Sequence, residues 1–113
     1  MTLEEFTKTH GVRFVILFGS QTEGAANEKS DYDVALLFRN PEKFSEKYTE
    51  TLFAVSEHLG VPPEQVDLAN LGADNILLRY EITRGGRLLF GDPDDYLQYQ
   101  NFAYRDYNVP SVH

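Results

Sequence analysis

The apolar positions along the chain follow two periods, and each period predicts one type of secondary structure. Runs rich in β-branched and aromatic residues at 12–18, 31–38, 66–71 and 87–90 predict four strands. The run at 12–18 is apolar on both faces, as expected of an interior strand that is covered on both sides. The remaining segments carry helical spacing or turn residues. The pattern therefore predicts an α/β (α+β) fold, in which a small mixed sheet of about four strands is flanked by helices.

Helical spacing fills the segments between these strands. Four segments are predicted to be helical, at 3–10, 41–59, 74–83 and 93–107. In two of them an N-cap side chain precedes proline, at Asn40-Pro41 and at Asp92-Pro93, which is typical of a helix start. The apolar stripe predicted to face the sheet from the long second helix consists of Phe44, Tyr48, Leu52, Val55 and Leu59. For the third helix, the inward residues are predicted to be Ile76, Leu77 and Tyr80.

The last helix is unusually rich in aromatic residues. They are spread too widely around a helix for all of them to face one core: Tyr96, Tyr99, Phe102, Tyr104 and Tyr107, together with Leu97. Exposed tyrosine is typical of protein interfaces. The pattern therefore predicts that part of this helix contacts another protein, with a terminal helix wrapped entirely on its own domain as the alternative. The domain is expected to span 1–107, with 108–113 a flexible tail.

Candidate chemistry is concentrated between the first two predicted strands. The first strand ends in Gly19-Ser20, ten residues follow, and the second strand opens with Asp31-Tyr32-Asp33. Residues two apart on a strand point the same way, so Asp31 and Asp33 are predicted to present two carboxylates on one face. Such carboxylates repel unless a cation lies between them, and hard oxygen ligands suit Mg²⁺ together with substrate phosphates. A glycine turn that leads into a helix start at Ser20 favours phosphate binding. Together these features indicate a metal–nucleotide site.

The pattern G-S-x10-D-x-D resembles the signature of the nucleotidyltransferases with the DNA polymerase β-like fold. The short chain resembles their minimal members, the MNT proteins, which are antitoxins of HEPN/MNT toxin–antitoxin pairs. This resemblance implies two Mg²⁺ ions held by Asp31, Asp33 and a third acidic residue on a later strand, for which Asp67 is the candidate. It also implies ATP as the substrate, with its phosphates held by Gly19, Ser20 and the backbone beside them.

Three residues near the predicted site have a second interpretation. Asp67 could be a strand-edge aspartate that is hydrogen-bonded to a loop, rather than the third carboxylate. Lys29 is the one cation between Ser20 and Asp31 and lies within reach of phosphate, but a solvated loop lysine is the plainer interpretation. Gln21 and Glu23 stand where many relatives have arginine. Glu23 suits the N-terminus of a helix, but aimed into the site it would repel a triphosphate.

Cationic residues elsewhere are also open to more than one interpretation. Arg13 is predicted to be a strand-end charge that reaches water, in preference to a phosphate contact. Arg79, Arg84 and Arg87 form the most basic region and could bind phosphate or a partner, although arginine also collects at helix ends for electrostatic reasons. His58 is expected to lie on the surface near the end of its helix, not to bind a metal.

Composition and charge narrow the possible partners. The chain has 113 residues, no cysteine and a formal net charge of −8. An acidic chain is poorly suited to direct nucleic-acid binding, which depends on Lys and Arg neutralising phosphates. No apolar run approaches the length needed to span a bilayer, and residues 1–6 lack the pattern of a signal peptide, so a cytoplasmic location is expected.

The resemblance makes the expected function specific: transfer of AMP from ATP onto a hydroxyl, expected to be a tyrosine, of a HEPN ribonuclease toxin with which this chain forms a hetero-oligomer. A chain this small has little room for an acceptor pocket of its own, which favours a protein acceptor. A second possibility is a weak or inactive nucleotidyltransferase fold that neutralises its toxin by stoichiometric binding. A third is nucleotidyl transfer to a small molecule.

Overall fold

The computed structural model describes residues 1–19 and 31–108. Along the described chain, the helices are α1 (Leu3–His10), α2 (Lys43–Glu46), α3 (Tyr48–Leu59), α4 (Ile76–Gly85) and α5 (Pro93–Asn108). The strands are β1 (Val12–Phe18), β2 (Tyr32–Phe38), β3 (Val66–Asn70) and β4 (Arg87–Phe90). A 3₁₀ turn at Pro63–Gln65 leads into β3. All four predicted strands are therefore present, with boundaries within one residue of those expected from the sequence.

The described strands form one mixed sheet in the order β3-β2-β1-β4. The strand β1 pairs antiparallel with both β2 and β4, whereas β2 and β3 are parallel. The end of β1 and the starts of β2 and β3 consequently meet at one edge of the sheet. The predicted motif residues at the end of β1 and the start of β2 belong to this edge.

Both faces of the sheet are covered, as the doubly apolar β1 run predicts. One face packs with α1 and α3 around a core that includes Phe6, Val15, Leu36 and Val55. The other packs with α4 and α5 around Phe14, Ile16, Ala35, Ile82 and Tyr99. An irregularity in the pairing between Val12 and Phe14 shifts the alternation, which is why Val12 and Val15 share a face although they are three residues apart.

The long second helix was predicted as one element and is divided in the structure. Asn40 Oδ1 accepts from the backbone N–H of Glu42 at 3.1 Å, so the predicted start is present as a turn. The chain then forms α2, departs from helical geometry at Lys47 (φ −110°, ψ 23°) and resumes as α3.

The predicted apolar stripe of that helix is partly wrong as well. Val55 is buried, and Phe44, Leu52 and Leu59 pack against the core, but Tyr48 is 42% exposed. Small residues occupy the interface instead: Thr51, Ala54 and Ser56. The hydroxyls of Thr51 and Ser56 donate to the helix carbonyls of Lys47 and Phe53, at 2.6 and 3.0 Å, so they can be buried without unpaired polar groups.

The inward face of α4 was also predicted incorrectly. Asn75 caps the helix by accepting from the N–H of Leu78 at 3.0 Å. Ile76 and Leu77 are 43% and 53% exposed, whereas Ile82 and Thr83 are buried. Leu78 and Ile82, four residues apart, pack into the core on this face of the sheet, and Tyr80 is partly buried. The side of α4 that faces the sheet therefore differs from the predicted one. Local spacing cannot report that difference.

The aromatic residues of α5 are divided between the core and the surface. Asp92 caps it by accepting from the N–H of Asp95 at 2.9 Å, as predicted. Tyr96, Tyr99 and Ala103 are buried, while four large apolar and aromatic side chains are between 44% and 57% exposed: Leu97, Phe102, Tyr104 and Tyr107. The helix includes Asn108, one residue beyond its expected end. The rest of the predicted tail, 109–113, lies outside the described residues.

Arg13 was predicted to reach water at the end of its strand, in preference to contacting phosphate, but it is paired with an aspartate. Its guanidinium donates to both carboxylate oxygens of Asp95, at 2.9 and 2.7 Å, and lies 4.8 Å from the ring centroid of Phe14. This two-point hydrogen bond raises the pKa of Arg13 and lowers that of Asp95. The pair joins the start of β1 to the first turn of α5, far from the Gly19 end of the strand.

His58 is exposed, as predicted. Across 1–19 and 31–108, every helix is too short or too polar to cross a membrane.

Candidate active site

Two acidic residues lie side by side on neighbouring strands. Asp33 on β2 and Asp67 on β3 are register partners in the parallel pair. Directly paired residues present their side chains on the same face of a sheet. For these strands it is the face of α4 and α5, because Ala35 and Ala69, two residues further along, pack into that core. As predicted, Val66 and Leu68 face the opposite core.

Electrostatics place Asp31 near the same pair. The pKa of Asp33 is raised, first by burial and then by the negative charges of Asp67 and Asp31. Asp31 and Asp67 are exposed, whereas Asp33 is partly buried. Two further carboxylates therefore lie near enough to Asp33 to disfavour its ionised form. A cation among them would relieve this repulsion.

Gly19 closes the site from the end of β1. Its φ is +80°, a left-handed conformation that favours glycine. A Cβ atom built on Gly19 would overlap Oδ2 of Asp33 and lie 3.3 Å from its Cγ. Position 19 therefore requires glycine for two reasons, backbone conformation and the close approach of the Asp33 carboxylate. The Gly-Ser turn was predicted to lie close to the D-x-D pair, and Gly19 does lie against Asp33.

A cavity of about 250 Å³ opens beside Gly19. Its apolar lining comes from Phe18 on β1 and from Leu78 and Ile82 on α4. Glu81 and Arg84 supply its charged groups. Phe18 is the register partner of Asp33, so the cavity lies next to the acidic residues. A cleft with apolar walls and a few charged groups is typical of a small-molecule site.

The donor chemistry fits Mg²⁺. Carboxylate oxygens are its preferred protein ligands, and the pKa of Asp33 is raised by burial and then by the negative charges of Asp67 and Asp31, which a bound cation would offset. Within 1–19 and 31–108, no group of three or more acidic, histidine or cysteine side chains is already arranged to hold a metal ion. The described carboxylates thus form an acidic cluster but not a complete metal-coordination site. Mg²⁺ commonly completes its coordination with water and substrate phosphates.

Several predicted site residues cannot be placed. Ser20 and Lys29, and the substituted positions Gln21 and Glu23, lie outside the described residues. Sequence reasoning did not assign Glu81 to the site, and it grouped Arg84 with other basic residues without locating it. In the sequence, both residues precede Gly85-Gly86 in the last turns of the predicted helix. Their proximity to Gly19 depends on how α4 packs against β1, which the sequence pattern does not report.

Comparison with known proteins agrees with this geometry. The family model described as "Polymerase beta, Nucleotidyltransferase" matches residues 2–95. The chain belongs to the polymerase beta nucleotidyltransferase family. Both the predicted family and the predicted fold are confirmed.

Relatives of this nucleotidyltransferase include a protein-modifying enzyme. The chain is 26% identical over 102 residues to the protein adenylyltransferase MntA of Aphanizomenon flos-aquae, covering 84% of this chain and 67% of the relative. It superposes with a TM-score of 0.73 on a chain from the crystal structure of a toxin–antitoxin with AMP-PNP, at 20% identity, covering 93% of this chain and 83% of the other.

A second solved structure has the same fold. It is described as a tri-AMPylated Shewanella oneidensis HEPN toxin in complex with MNT antitoxin. The TM-score is 0.64 at 19% identity, covering 93% of this chain and 82% of the other. At these identities the likeness establishes the shared fold of this nucleotidyltransferase.

The raised pKa of Asp33 predicts a pH-dependent stability difference. An aspartate whose pKa is raised by folding destabilises the folded state at pH values above that pKa, and this penalty disappears as the pH falls below the ordinary aspartate range. Without divalent cations at pH 7, we expect Asp33→Asn to raise the midpoint of thermal unfolding, by on the order of a few degrees. The difference should shrink as the pH falls through the raised pKa.

Asp74→Asn is the control for this measurement, because Asp74 is an exposed residue beyond the far end of β3. Its substitution should leave the midpoint of thermal unfolding nearly unchanged, both at pH 7 and at a pH below the raised pKa of Asp33. An Asp33→Asn protein that unfolds at the same or a lower temperature than the wild type at pH 7 would contradict the predicted repulsion.

Proposed function

We propose that this chain is a Mg²⁺-dependent adenylyltransferase that moves AMP from ATP onto a hydroxyl, most simply a tyrosine, of a HEPN ribonuclease toxin, and thereby acts as the antitoxin. One observation carries the proposal: Asp33 and Asp67 are register partners beside Gly19, in a chain of the nucleotidyltransferase family. The similarity to the protein adenylyltransferase MntA supports a protein as acceptor. The proposed location is the cytoplasm, where ATP is available.

The reaction is a displacement at phosphorus. The acceptor hydroxyl oxygen forms a bond to the α-phosphorus of ATP, the bond from that phosphorus to the oxygen bridging to the β-phosphorus breaks, and pyrophosphate leaves. The hydroxyl proton passes to a carboxylate, and Asp67 suits this role because it is exposed at the edge of the site. The product is an AMP phosphodiester on the acceptor.

Asp31, Asp33 and Asp67 are the proposed ligands of two Mg²⁺ ions, which when bound would supply positive charge for the phosphates. The partial burial of Asp33 keeps its carboxylate in place against Gly19. Gly19 and, by extension of the turn, Ser20 are proposed to receive the phosphates on backbone N–H groups. Lys29 is proposed as an additional phosphate contact.

The acceptor protein needs a surface next to this site. Tyr80 on α4 and Leu97, Tyr104 and Tyr107 on α5 form what we call the tyrosine groove. The rings of Tyr80 and Tyr107 stack with centroids 4.1 Å apart, and a cavity of about 350 Å³ is lined by Tyr80, Leu97 and Tyr104. Arg84 lines both this cavity and the one beside Gly19, so the groove leads toward the acidic cluster.

The groove has the composition of a binding surface. Leu97, Tyr104 and Tyr107 are 56%, 57% and 44% exposed. Tyrosine and other aromatic residues are enriched in the centres of protein interfaces and contribute much of their binding energy. We therefore propose the tyrosine groove as the surface on which the toxin docks, with its acceptor hydroxyl directed past Arg84 to the acidic cluster.

This docking proposal predicts that Leu97→Glu weakens the complex with the toxin by about ten- to a hundredfold, because a charge would be buried in an apolar contact. Phe53→Glu is the matched control, since Phe53 is also 56% exposed but lies on α3 at the opposite face of the sheet. Isothermal titration calorimetry of each variant with the toxin measures the effect. Equal affinities for the two variants would exclude the groove as the docking surface.

The proposed activity is tested by intact-mass measurement of the toxin. After incubation with the wild-type chain and Mg-ATP, the toxin should gain mass in multiples of one adenylyl group, and omission of Mg²⁺ should prevent the gain. Tandem mass spectrometry would then identify the acceptor residue. A toxin that stays unmodified under these conditions, while it remains bound, would refute the enzymatic proposal.

A stoichiometric antitoxin is the second candidate. The exposed tyrosine groove favours it, because binding there could occlude a toxin without chemistry. Under this alternative, the Asp31→Asn/Asp33→Asn double variant would still neutralise the toxin in cells. Loss of neutralisation in the double variant, with retained toxin binding, would select the enzyme.

A further inference from the structure

Arg84 lies where α4 reaches the nucleotide site. It is an exposed residue in the last turn of α4 and lines the cavity beside Gly19. Its guanidinium carbon lies 5.6 Å from the ring centroid of Tyr80. Among the described residues, Arg84 forms no ion pair, whereas Arg13 and Arg79 are both paired with aspartates. The positive charge of Arg84 is therefore available to a ligand.

The end of α4 is held firmly against β1. A Cβ atom built on Gly86 would overlap the side chain of Ile16 and lie 2.6 Å from the carbonyl oxygen of Ile82. From the other side, Gln100 on α5 donates to the carbonyl oxygen of Thr83 at 2.9 Å. The backbone on both sides of Arg84 is thus packed between β1 and α5, so the base of its side chain has a defined position relative to Gly19.

A nucleotide at this site would need added positive charge. Its described acidic groups are Asp31, Asp33 and Asp67, and Glu81 lines the cavity. A triphosphate brings several further negative charges. The guanidinium of Arg84 suits phosphate because its planar set of N–H donors can form paired hydrogen bonds to phosphate oxygens.

We propose that Arg84 binds the β- and γ-phosphates of ATP, and the departing pyrophosphate, from the α4 side of the site. This inference rests on the proposed function, since it assigns a residue to the same site. The assignment to the outer phosphates follows from the lining of the cavity: Arg84 shares it with Gly19, the start of the proposed phosphate-binding turn, and not with Asp31 or Asp67. An alternative role for Arg84 is to stabilise the C-terminal end of α4 electrostatically.

Calorimetric titration of the chain alone with Mg-ATP, pyrophosphate and AMP tests this assignment. Arg84→Gln should weaken binding of ATP and pyrophosphate about tenfold and leave AMP binding unchanged, because AMP lacks the outer phosphates. Arg84→Lys should recover part of the loss. In the transfer assay, the KM for ATP should rise more than kcat falls. Arg105→Gln is the matched control, because Arg105 is an exposed arginine on α5 with no ion pair among the described residues.

The outcomes separate this inference from the proposed function. Equal weakening of ATP and AMP, or a lowered thermal unfolding midpoint with unchanged nucleotide affinities, would assign Arg84 a structural role and overturn the proposal. Active transfer with an unchanged KM for ATP in Arg84→Gln would also overturn it, while leaving the adenylyltransferase in place. Nucleotide binding by the wild type without transfer to any toxin would count against the proposed function, and the ATP-to-AMP difference would still decide the role of Arg84.

Discussion

Asp33→Asn is expected to reduce adenylyl transfer to the toxin by on the order of a hundredfold or more. Asp33 is partly buried, is the register partner of Asp67 and is the residue on which the charges of Asp31 and Asp67 act. Asparagine keeps the shape but lacks the negative charge needed to hold a divalent cation, so the loss should appear mainly in the rate of transfer. The rate of toxin mass gain with saturating Mg-ATP measures it.

The same substitution is expected to stabilise the protein without Mg²⁺, which makes the result hard to attribute to misfolding. A variant that unfolds at a higher temperature than the wild type and yet fails to modify the toxin would have lost the function of the site while retaining the fold. Asp74→Asn should retain full activity. Transfer at more than about a tenth of the wild-type rate by Asp33→Asn would remove this residue from the proposed metal ligands.

Gly19→Ala is expected to damage both the site and the stability of the protein. Alanine at φ +80° costs about 1–2 kcal/mol of stability. The added Cβ would also overlap the carboxylate of Asp33 and displace it. Because a displacement of about 1 Å in a catalytic geometry can cost about a hundredfold in rate, we expect a loss of that order in toxin modification.

Gly60→Ala separates the two effects of this substitution. Gly60 has a similar φ of +72°, but a Cβ atom there would have no atom within 4 Å. Chemical denaturation should show a similar loss of stability for both variants, whereas only Gly19→Ala should lose activity. If Gly60→Ala lost as much activity as Gly19→Ala, the effect would arise from lowered stability and not from contact with Asp33.

Much of this site could be predicted because its main residues lie close together in sequence. Gly19, Asp31 and Asp33 flank two strands that are adjacent in the sheet, and strand alternation is a local property. Asp67 is different, because it required the parallel pairing of β2 with β3, which the resemblance to the nucleotidyltransferases supplied. The roles of all six predicted site residues remain predictions, and two of them, Ser20 and Lys29, lie outside the described residues.

The wrong predictions of which helix residues face the core share a cause. Tyr48, Ile76 and Leu77 have the spacing of core residues but are exposed, while Thr51 and Thr83 are buried with their hydroxyls bonded to helix carbonyls. Periodicity reports which residues share one side of a helix. It does not report which side of the helix touches the sheet, or where a small polar residue permits closer packing than a large apolar one.

By itself, the sequence determined the strands, the capped start of α5 and the acidic motif beside a glycine turn, because each depends on contacts between near neighbours in the chain. The tertiary structure alone decided that Asp95 pairs with Arg13 and that Arg84 reaches the cavity at Gly19. These contacts join residues far apart in sequence. Their partners depend on strand order and on how the helices lie across the sheet.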